Sequence, residues 1–403
     1  MRIGRTLAPA AAPIGWGALL GAAAGILSTR DPAPDLEAEL RQTFGVDHVW
    51  LVSSGTAALT LTLLALRAER RQTDVVIPAY TCFSVPAAVL RAGLRPVLCD
   101  VDPRTLDFDS TLLPRAISAN TLCVVAHDLF GIPSNIDRVR ALCRSRDITV
   151  VEDAAQGMGV ASAGGLLGTR GDVGILSLGR GKHLTCGSGG VILTRSARIA
   201  GAVDAEYSRL PAPTRGRMLR DWLAVALMTV FIRPSLFWIP AAMPWLHLGE
   251  TIFPKRIHLG RLSRMHATLL RHWRRRLAAS NERRAQIAST LAGRLSLDLP
   301  CGPRHPYLRL PVLATTAMGR HRLLAASRAK GLGFGRGYPT SVAEIPEVAA
   351  AIGPRRFATA TQIAARLLTL PTHHWVSARD AGAIVDCLER AADASRAMRQ
   401  EAS

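Results

Sequence analysis

Between residues 48 and 194 the chain alternates short apolar runs with amphipathic stretches, and this alternation limits the possible folds more than any other feature. HVWLVSS reads as a strand, followed by Gly55 and the helical pattern TAALTLTLLALRAER. DVVIPAY is a second strand with SVPAAVLRAG as its helix; RPVLCDVD and TLCVVAHDLFG are further strands, and IDRVRALCRSRD is a helix. ITVVEDAAQ, GDVGILSLG and GGVILTR complete the series. Strands separated by helices of roughly 10–15 residues imply parallel βαβ units. The expectation is an α/β domain whose sheet is covered on both faces, with ligands beyond the strand C-termini. The organisation read from the sequence is a large domain with an N-terminal segment over 1–215, an apolar, Trp-rich insertion over 216–258, and a long helix leading into a small α+β domain over 259–403.

Composition narrows the partners. A net charge of +20 calls for an anionic partner: a phosphate-rich substrate or an anionic membrane face. No zinc-finger, helix-turn-helix or RNA-binding signature is present, so no nucleic-acid partner is expected. The densest basic run, RHWRRRLAASNERR (271–284), reads as an exposed helix face. Seven dispersed cysteines without a CxxC pair read as reduced core thiols, hence a cytoplasmic protein. Residues 7–29 carry no charge but are mostly Ala and Gly, and are expected to pack on the domain. Residues 222–254 are richer in large apolar side chains, interrupted by Arg233-Pro234. Each half, about 11 residues, is shorter than the roughly 20 a membrane-spanning helix needs. A hairpin or re-entrant element is expected, with Trp222, Trp238 and Trp245 at a lipid boundary or in an oligomer or domain interface.

Polar groups gather at the strand ends. Ser53-Ser54-Gly55-Thr56 is a strand-to-helix turn, where helix-start N–H groups can cradle a phosphate. VVEDAAQ places Asp153 at the end of an apolar strand, and Ser177 follows GILS. Lys182 is one of three lysines in the chain, with Lys255 and Lys330, among 50 basic side chains. Retaining a lysine where arginine otherwise serves suggests a need for a deprotonatable amine. An acid, a hydroxyl, an amine and a phosphate turn together suit pyridoxal phosphate, which takes a Schiff-base lysine and an acidic partner for its ring nitrogen.

The same stretches resemble the DegT/DnrJ/EryC1/StrS sugar aminotransferases, within fold type I of the pyridoxal-phosphate enzymes. The resemblance is carried by SSGTAAL (53–59), DVVIPAYTCFSVPAAVLRAGLRPVLCDVDPRTLDFD (74–109), HDLFGIPSNID (127–137), VVEDAAQGMGV (150–160), GDVGILSLGRGKHLTCGSGGVILT (171–194) and, more loosely, LPTHHWVSARDAGAIV (370–385). It implies a mostly parallel seven-stranded sheet, with the cofactor in the 1–215 domain. It also implies roles: Lys182 as Schiff-base lysine and acid/base, Asp153 on the pyridinium nitrogen, Gln156 beside the 3-hydroxyl, and Gly55, Thr56 and Ser177 on the phosphate. Cys82 stands where relatives often carry a ring-stacking aromatic, with Phe83 next as a candidate cover. Leu262 stands where relatives often carry an Asn reaching the neighbouring subunit's phosphate, with Arg261 beside it.

The implied activity is transamination from an amino donor, glutamate by analogy, to a keto-sugar on a nucleotide or lipid diphosphate, for cell-envelope polysaccharide or glycolipid biosynthesis. The implied assembly is a homodimer, and the 222–254 insertion suggests contact with the inner face of the cell membrane. A dehydratase or another pyridoxal-phosphate reaction on the same fold, or a non-catalytic membrane-associated scaffold, is the alternative. His127 and Asp128 are candidates to face the site. No metal site is expected, because the adjacent His373 and His374 diverge in direction.

Overall fold

The computed structural model describes residues 3–246 and 248–400, with side chains as far as residue 390. In chain order the strands of the large domain are β1 (His48–Val52), β2 (Asp74–Pro78), β3 (Arg95–Cys99), β4 (Thr121–His127), β5 (Thr149–Asp153), the short hairpin β6 (Ala161–Ser162) and β7 (Gly165–Leu166), β8 (Val173–Ser177) and β9 (Gly190–Thr194). Without the hairpin they form a seven-stranded sheet in the order β1-β9-β8-β5-β4-β2-β3. The β2–β3, β2–β4, β4–β5 and β5–β8 pairs are parallel, whereas β9 runs antiparallel to both β1 and β8. All seven residues of β4, TLCVVAH, are buried, as expected of a central strand covered on both faces.

Helices α1 (Trp16–Leu27), α2 (Ala33–Phe44), α3 (Gly55–Glu69), α4 (Ser84–Arg91), α5 (Leu113–Ala116), α6 (Ile136–Arg144) and α7 (Ala197–Ser208) accompany this sheet. Their starts are local chemistry: Ser54, Asn135 and Ser196 each accept a hydrogen bond from the N–H three residues on, capping α3, α6 and α7. Next come α8 (Arg215–Phe231), α9 (Trp238–Ala241), α10 (Arg264–Leu269) and α11 (Trp273–Leu295). The C-terminal lobe pairs β10 (Arg309–Leu313) antiparallel with β11 (Leu367–Pro371), together with α12 (Ala317–Lys330), α13 (Pro346–Ile352), α14 (Ala358–Arg366) and α15 (Ala378–Gln400). The uncharged N-terminal stretch packs inward: Leu7, Ala8, Ala11 and Ala12 are buried, and α1 lies against α10.

Three expectations change. The long helix is two helices, because His272 takes a left-handed conformation (φ 57°) between α10 and α11. The break delivers Trp273 to α2, where its ring stacks 6.5 Å from Phe44 and its Nε1 donates to Glu39 Oε2 at 2.7 Å. The basic run is a solvated face only in part, at the exposed Arg271, Arg274 and Arg275. Arg284 is fully buried, donating to the carbonyls of Leu308 (2.7 Å) and Ala11 (2.8 Å), and Arg276 donates to those of Leu269 (2.5 Å) and Pro13 (3.1 Å). These guanidinium groups therefore join segments from opposite ends of the chain. The 222–254 segment breaks at Arg233-Pro234 as expected, but its first half is the C-terminal part of α8, one continuous 17-residue helix that begins at Arg215 and ends at Phe231, before the short α9. No helix among the described residues is long and apolar enough to cross a membrane.

Candidate active site

The loops after β1, β5 and β8 meet beyond the C-terminal edge of the sheet. The turn from β1 into α3 is closely packed. A Cβ on Gly190 would lie 2.2 Å from the Ser54 carbonyl oxygen, and one on Gly55 would lie 2.8 Å from Ser177 Cβ. Only glycine lets these backbones approach so closely. Ser54 Oγ accepts the Ala57 N–H at 3.0 Å, which leaves the N–H groups of Gly55 and Thr56 unbonded among the described residues. Ser177, buried at the end of β8, places its hydroxyl beside them and accepts the Gly179 N–H at 3.3 Å. Two free helix-start amides, Thr56 and Ser177 together suit a phosphate.

Lys182 lies five residues beyond β8, partly buried, and its ammonium makes no hydrogen bond among the described residues. Burial and the nearby Arg309 lower its pKa; Cys82 and Asp153 oppose them. A lowered amine pKa is what a nucleophilic lysine requires. Asp153 ends β5 and accepts the Ala155 N–H at 3.1 Å. Burial raises the Asp153 pKa, and that N–H, Lys182 and His127 offset part of the rise. A carboxylate so placed is stabilised by a cation brought against it.

Gln156 is buried: its Nε2 donates to the Tyr338 hydroxyl at 2.8 Å and its Oε1 accepts the Phe130 N–H at 3.3 Å. Phe83 is buried and stacks on Tyr338 at 6.2 Å, so its ring contacts the C-terminal lobe, while the partly buried Cys82 is the neighbour felt by Lys182. His127 is the register partner of Asp153 across β4 and β5, yet the polar atoms of His127 and Asp128 bond to other groups. The His127 ring lies between Thr81 Oγ1 and the Leu106 carbonyl, 2.8 Å from each, and Asp128 pairs with Arg170 at 2.8 Å. Glu152 shares that arginine (2.7 Å), forming a buried acid–arginine–acid cluster behind the sheet edge.

Two residues of the C-terminal lobe enter the site without any signal in the sequence. Tyr338 joins Gln156 and Phe83, as above. Arg309, at the start of β10, holds its guanidinium 5.4 Å over the Phe130 ring. Its Nε is buried without a hydrogen-bond partner, and no carboxylate pairs with it among the described residues. Arg309 is one of many arginines, and only its position beside Lys182 distinguishes it. Leu262 is buried, and Arg261 lies 4.9 Å over the Tyr207 ring.

A phosphate turn at the start of α3, an unbonded amine of lowered pKa, and a carboxylate suited to a cation fit pyridoxal phosphate. With the mostly parallel seven-stranded sheet and a following α+β lobe, they define the fold type I architecture of pyridoxal-phosphate enzymes. Residues 22–208 match the model of the DegT/DnrJ/EryC1/StrS aminotransferase family. Over 220 residues, 53% of this chain, the sequence is 33% identical to Protein MosB of Rhizobium meliloti, covering 42% of that protein. Over 186 residues, 46% of this chain, it is 34% identical to the UDP-N-acetyl-3-dehydro-alpha-D-glucosamine 3-aminotransferase of Acidithiobacillus ferrooxidans, covering 50% of that enzyme. The chain thus spans half or less of the length of these curated relatives. Its fold is that of Helicobacter pylori PseC, an aminotransferase in pseudaminic acid biosynthesis, with a TM-score of 0.77 at 14% identity over 96% of this chain and 99% of PseC.

Proposed function

We propose that this protein is a pyridoxal-phosphate-dependent aminotransferase that moves an amino group, from glutamate as donor, to a keto-sugar carried on a nucleotide or lipid diphosphate. The observation that carries the reading is Lys182: an amine of lowered pKa, free of hydrogen bonds, on the same sheet edge as Asp153 and the α3 turn. When bound, pyridoxal phosphate supplies an electron sink for the bonds at the donor carbon. The chain does the rest. The Gly55 and Thr56 amides and the Thr56 and Ser177 hydroxyls hold the phosphate. Asp153 stays ionised against the protonated ring nitrogen, and Gln156, held by Tyr338, hydrogen-bonds the ring hydroxyl while Phe83 buttresses that tyrosine.

The Lys182 amine would hold the cofactor and would take and return the proton at the donor carbon. Its lowered pKa keeps a neutral fraction available for that step. The unpaired Arg309 guanidinium, over Phe130, binds a carboxylate of the donor. The active unit is a homodimer working at the inner face of the cell membrane, where the net charge of +20 favours anionic lipid.

The test is the absorbance spectrum of the purified protein with pyridoxal phosphate, before and after glutamate, beside Lys182→Ala. Wild type is expected to show the lysine-linked band and to lose it to the amine form of the cofactor on adding glutamate, whereas Lys182→Ala shows neither. A colourless protein that cannot be reconstituted would sink the enzyme reading. A band indifferent to glutamate would replace transamination from glutamate with another donor or reaction.

A further inference from the structure

A cavity of about 450 Å³ opens beside the β1–α3 turn, between α8 and the segment 258–263. Ser53 and Ser188, from the loops that frame the phosphate turn, form part of its wall, and so does Arg180, two residues before Lys182. One side is cationic. Arg217 Nη1 lies 2.6 Å from His258 Nε2, and Arg261, whose Nη2 donates to the Ser208 carbonyl at 3.3 Å, has a buried Nε without a hydrogen-bond partner among the described residues. Asp221 is the one carboxylate in the lining, 3.6 Å from Arg217 Nε, so three guanidinium groups face a single acid. The other side is apolar, formed by Ala224, Val225 and Met228 of α8.

Further around α8, adjoining this wall at Ala224 and Leu227, lies an exposed apolar stripe. Leu219, Leu223 and Leu227, one turn apart, are 51%, 49% and 59% exposed. Trp16 and Leu20 are exposed on α1, which packs against α8 and is joined to it where Trp222 Nε1 donates to the Leu19 carbonyl at 2.9 Å. Trp245, Leu246, Leu248 and Ile252 add further exposed apolar surface after α9. Arg215 and Arg220 belong to α8, Arg220 lying 3.6 Å from Asp221, and the Arg233 guanidinium lies 5.5 Å over the Trp16 ring. A cationic cavity on one side of α8 and an exposed apolar stripe further around the same helix match an amphiphile with a diphosphate head and a hydrocarbon chain. A nucleotide carrier gives the leucine stripe nothing to bind. An isologous dimer through the stripe would bring the α8 arginines of two copies together.

We infer that the sugar acceptor is carried on a lipid diphosphate, its diphosphate held by Arg180, Arg217 and Arg261 and its chain lying along α8 and α1 at the bilayer surface. This rests on the aminotransferase reading and names the carrier.

Binding to the reconstituted protein is measured by calorimetry with farnesyl diphosphate, farnesol, inorganic pyrophosphate and UDP as probes, and the glutamate-driven spectral change is recorded on the same samples. Farnesyl diphosphate is expected to bind at least about tenfold tighter than pyrophosphate or UDP, since apolar burial adds to the charge contacts. The double substitution Leu223→Ser, Leu227→Ser should remove that advantage while pyrophosphate still binds. Arg261→Gln should weaken farnesyl diphosphate and pyrophosphate together. UDP binding as tightly as farnesyl diphosphate, with the leucine substitutions silent, overturns the inference in favour of a nucleotide carrier. Leucine substitutions that lower the molecular mass in light scattering without changing diphosphate binding overturn it in favour of a second copy on this face. If the protein cannot be reconstituted with pyridoxal phosphate, the aminotransferase reading itself fails, whatever the probes do; a reconstituted spectrum indifferent to glutamate removes glutamate as the donor.

Discussion

At the scale of single residues, the site depends on which cation stands where. Lys182 and Arg309 are close enough for each to shape the other's field, yet an amine can lose its proton and a guanidinium cannot. Lys182→Arg should therefore fold and keep its charge but give no lysine-linked absorbance band, which a single spectrum checks. Arg309→Gln should retain the band. The donor concentration needed to convert it should rise roughly 10–100-fold, the equivalent of about 1.5–3 kcal/mol for a charge-assisted hydrogen bond. A glutamate titration of the spectrum reads this directly, and an unchanged midpoint would remove Arg309 from donor binding. Of the two cations, only Lys182 was legible in the sequence, because lysine is scarce here and this one sits in a Gly/Ser run at a strand end. Arg309 and Tyr338 were not. They arrive from a lobe more than 100 residues further along the chain, and no spacing rule connects them to the sheet edge.

At the scale of elements, the sheet was readable because buried parallel strands must be short and apolar. The β1–α3 turn was readable because Ser and Gly announce caps and close approaches. The inward part of the run 271–284, Arg276 and Arg284, was not legible because charge is a local property, whereas its partners, the carbonyls of Ala11, Pro13 and Leu308, belong to segments remote in sequence. Burial pushes the Arg284 pKa down to about 9, with Arg309 adding to the shift, yet its donors tie α11 to the N-terminal segment and to the Lys182 carbonyl (3.3 Å). Arg284→Met should strand those carbonyls and cost about 1–3 kcal/mol, read as a lower urea midpoint. Glycines supply an internal contrast. Gly190→Ala forces a Cβ to 2.2 Å from the Ser54 carbonyl oxygen and should destabilise by about 1–3 kcal/mol, loosening cofactor retention with it. Gly201→Ala, inside α7 with nothing within 4 Å of its new methyl, should stabilise by up to about 1 kcal/mol. Thermal melts of the two variants should therefore move in opposite directions.

At the scale of the whole molecule, the interface between the large domain and the C-terminal lobe is sealed by histidines that fold neutral. His183 lies between Asn281 of α11 and the Gln156 carbonyl, 2.7 and 2.9 Å from them, and His373 Nε2 donates to the Ala8 carbonyl at 2.8 Å. Burial, aided by Arg284, lowers the pKa of each to about 3. His266 and His374 are lowered to about 4, again chiefly by burial. In the unfolded chain a histidine titrates near 6.5, so below about pH 6.5 the unfolded state binds protons that the folded state refuses. Stability therefore falls with falling pH, by about 1.4 kcal/mol per unit for each such histidine, across the window from about 6.5 to the folded values. The raised carboxyls of Asp107, Asp128 and Asp153 act in the opposite sense, since the fold takes up their protons before the unfolded chain does. A wild-type curve alone would mix the two effects, and a substitution separates them. His183→Gln keeps a donor and an acceptor but cannot be protonated. Although less stable at pH 8, it should lose stability less steeply on acidification, the two curves differing by about one proton's slope below pH 6. Parallel urea titrations at pH 8, 6 and 5 measure that difference, and coincident slopes would show that His183 is protonated in the folded protein.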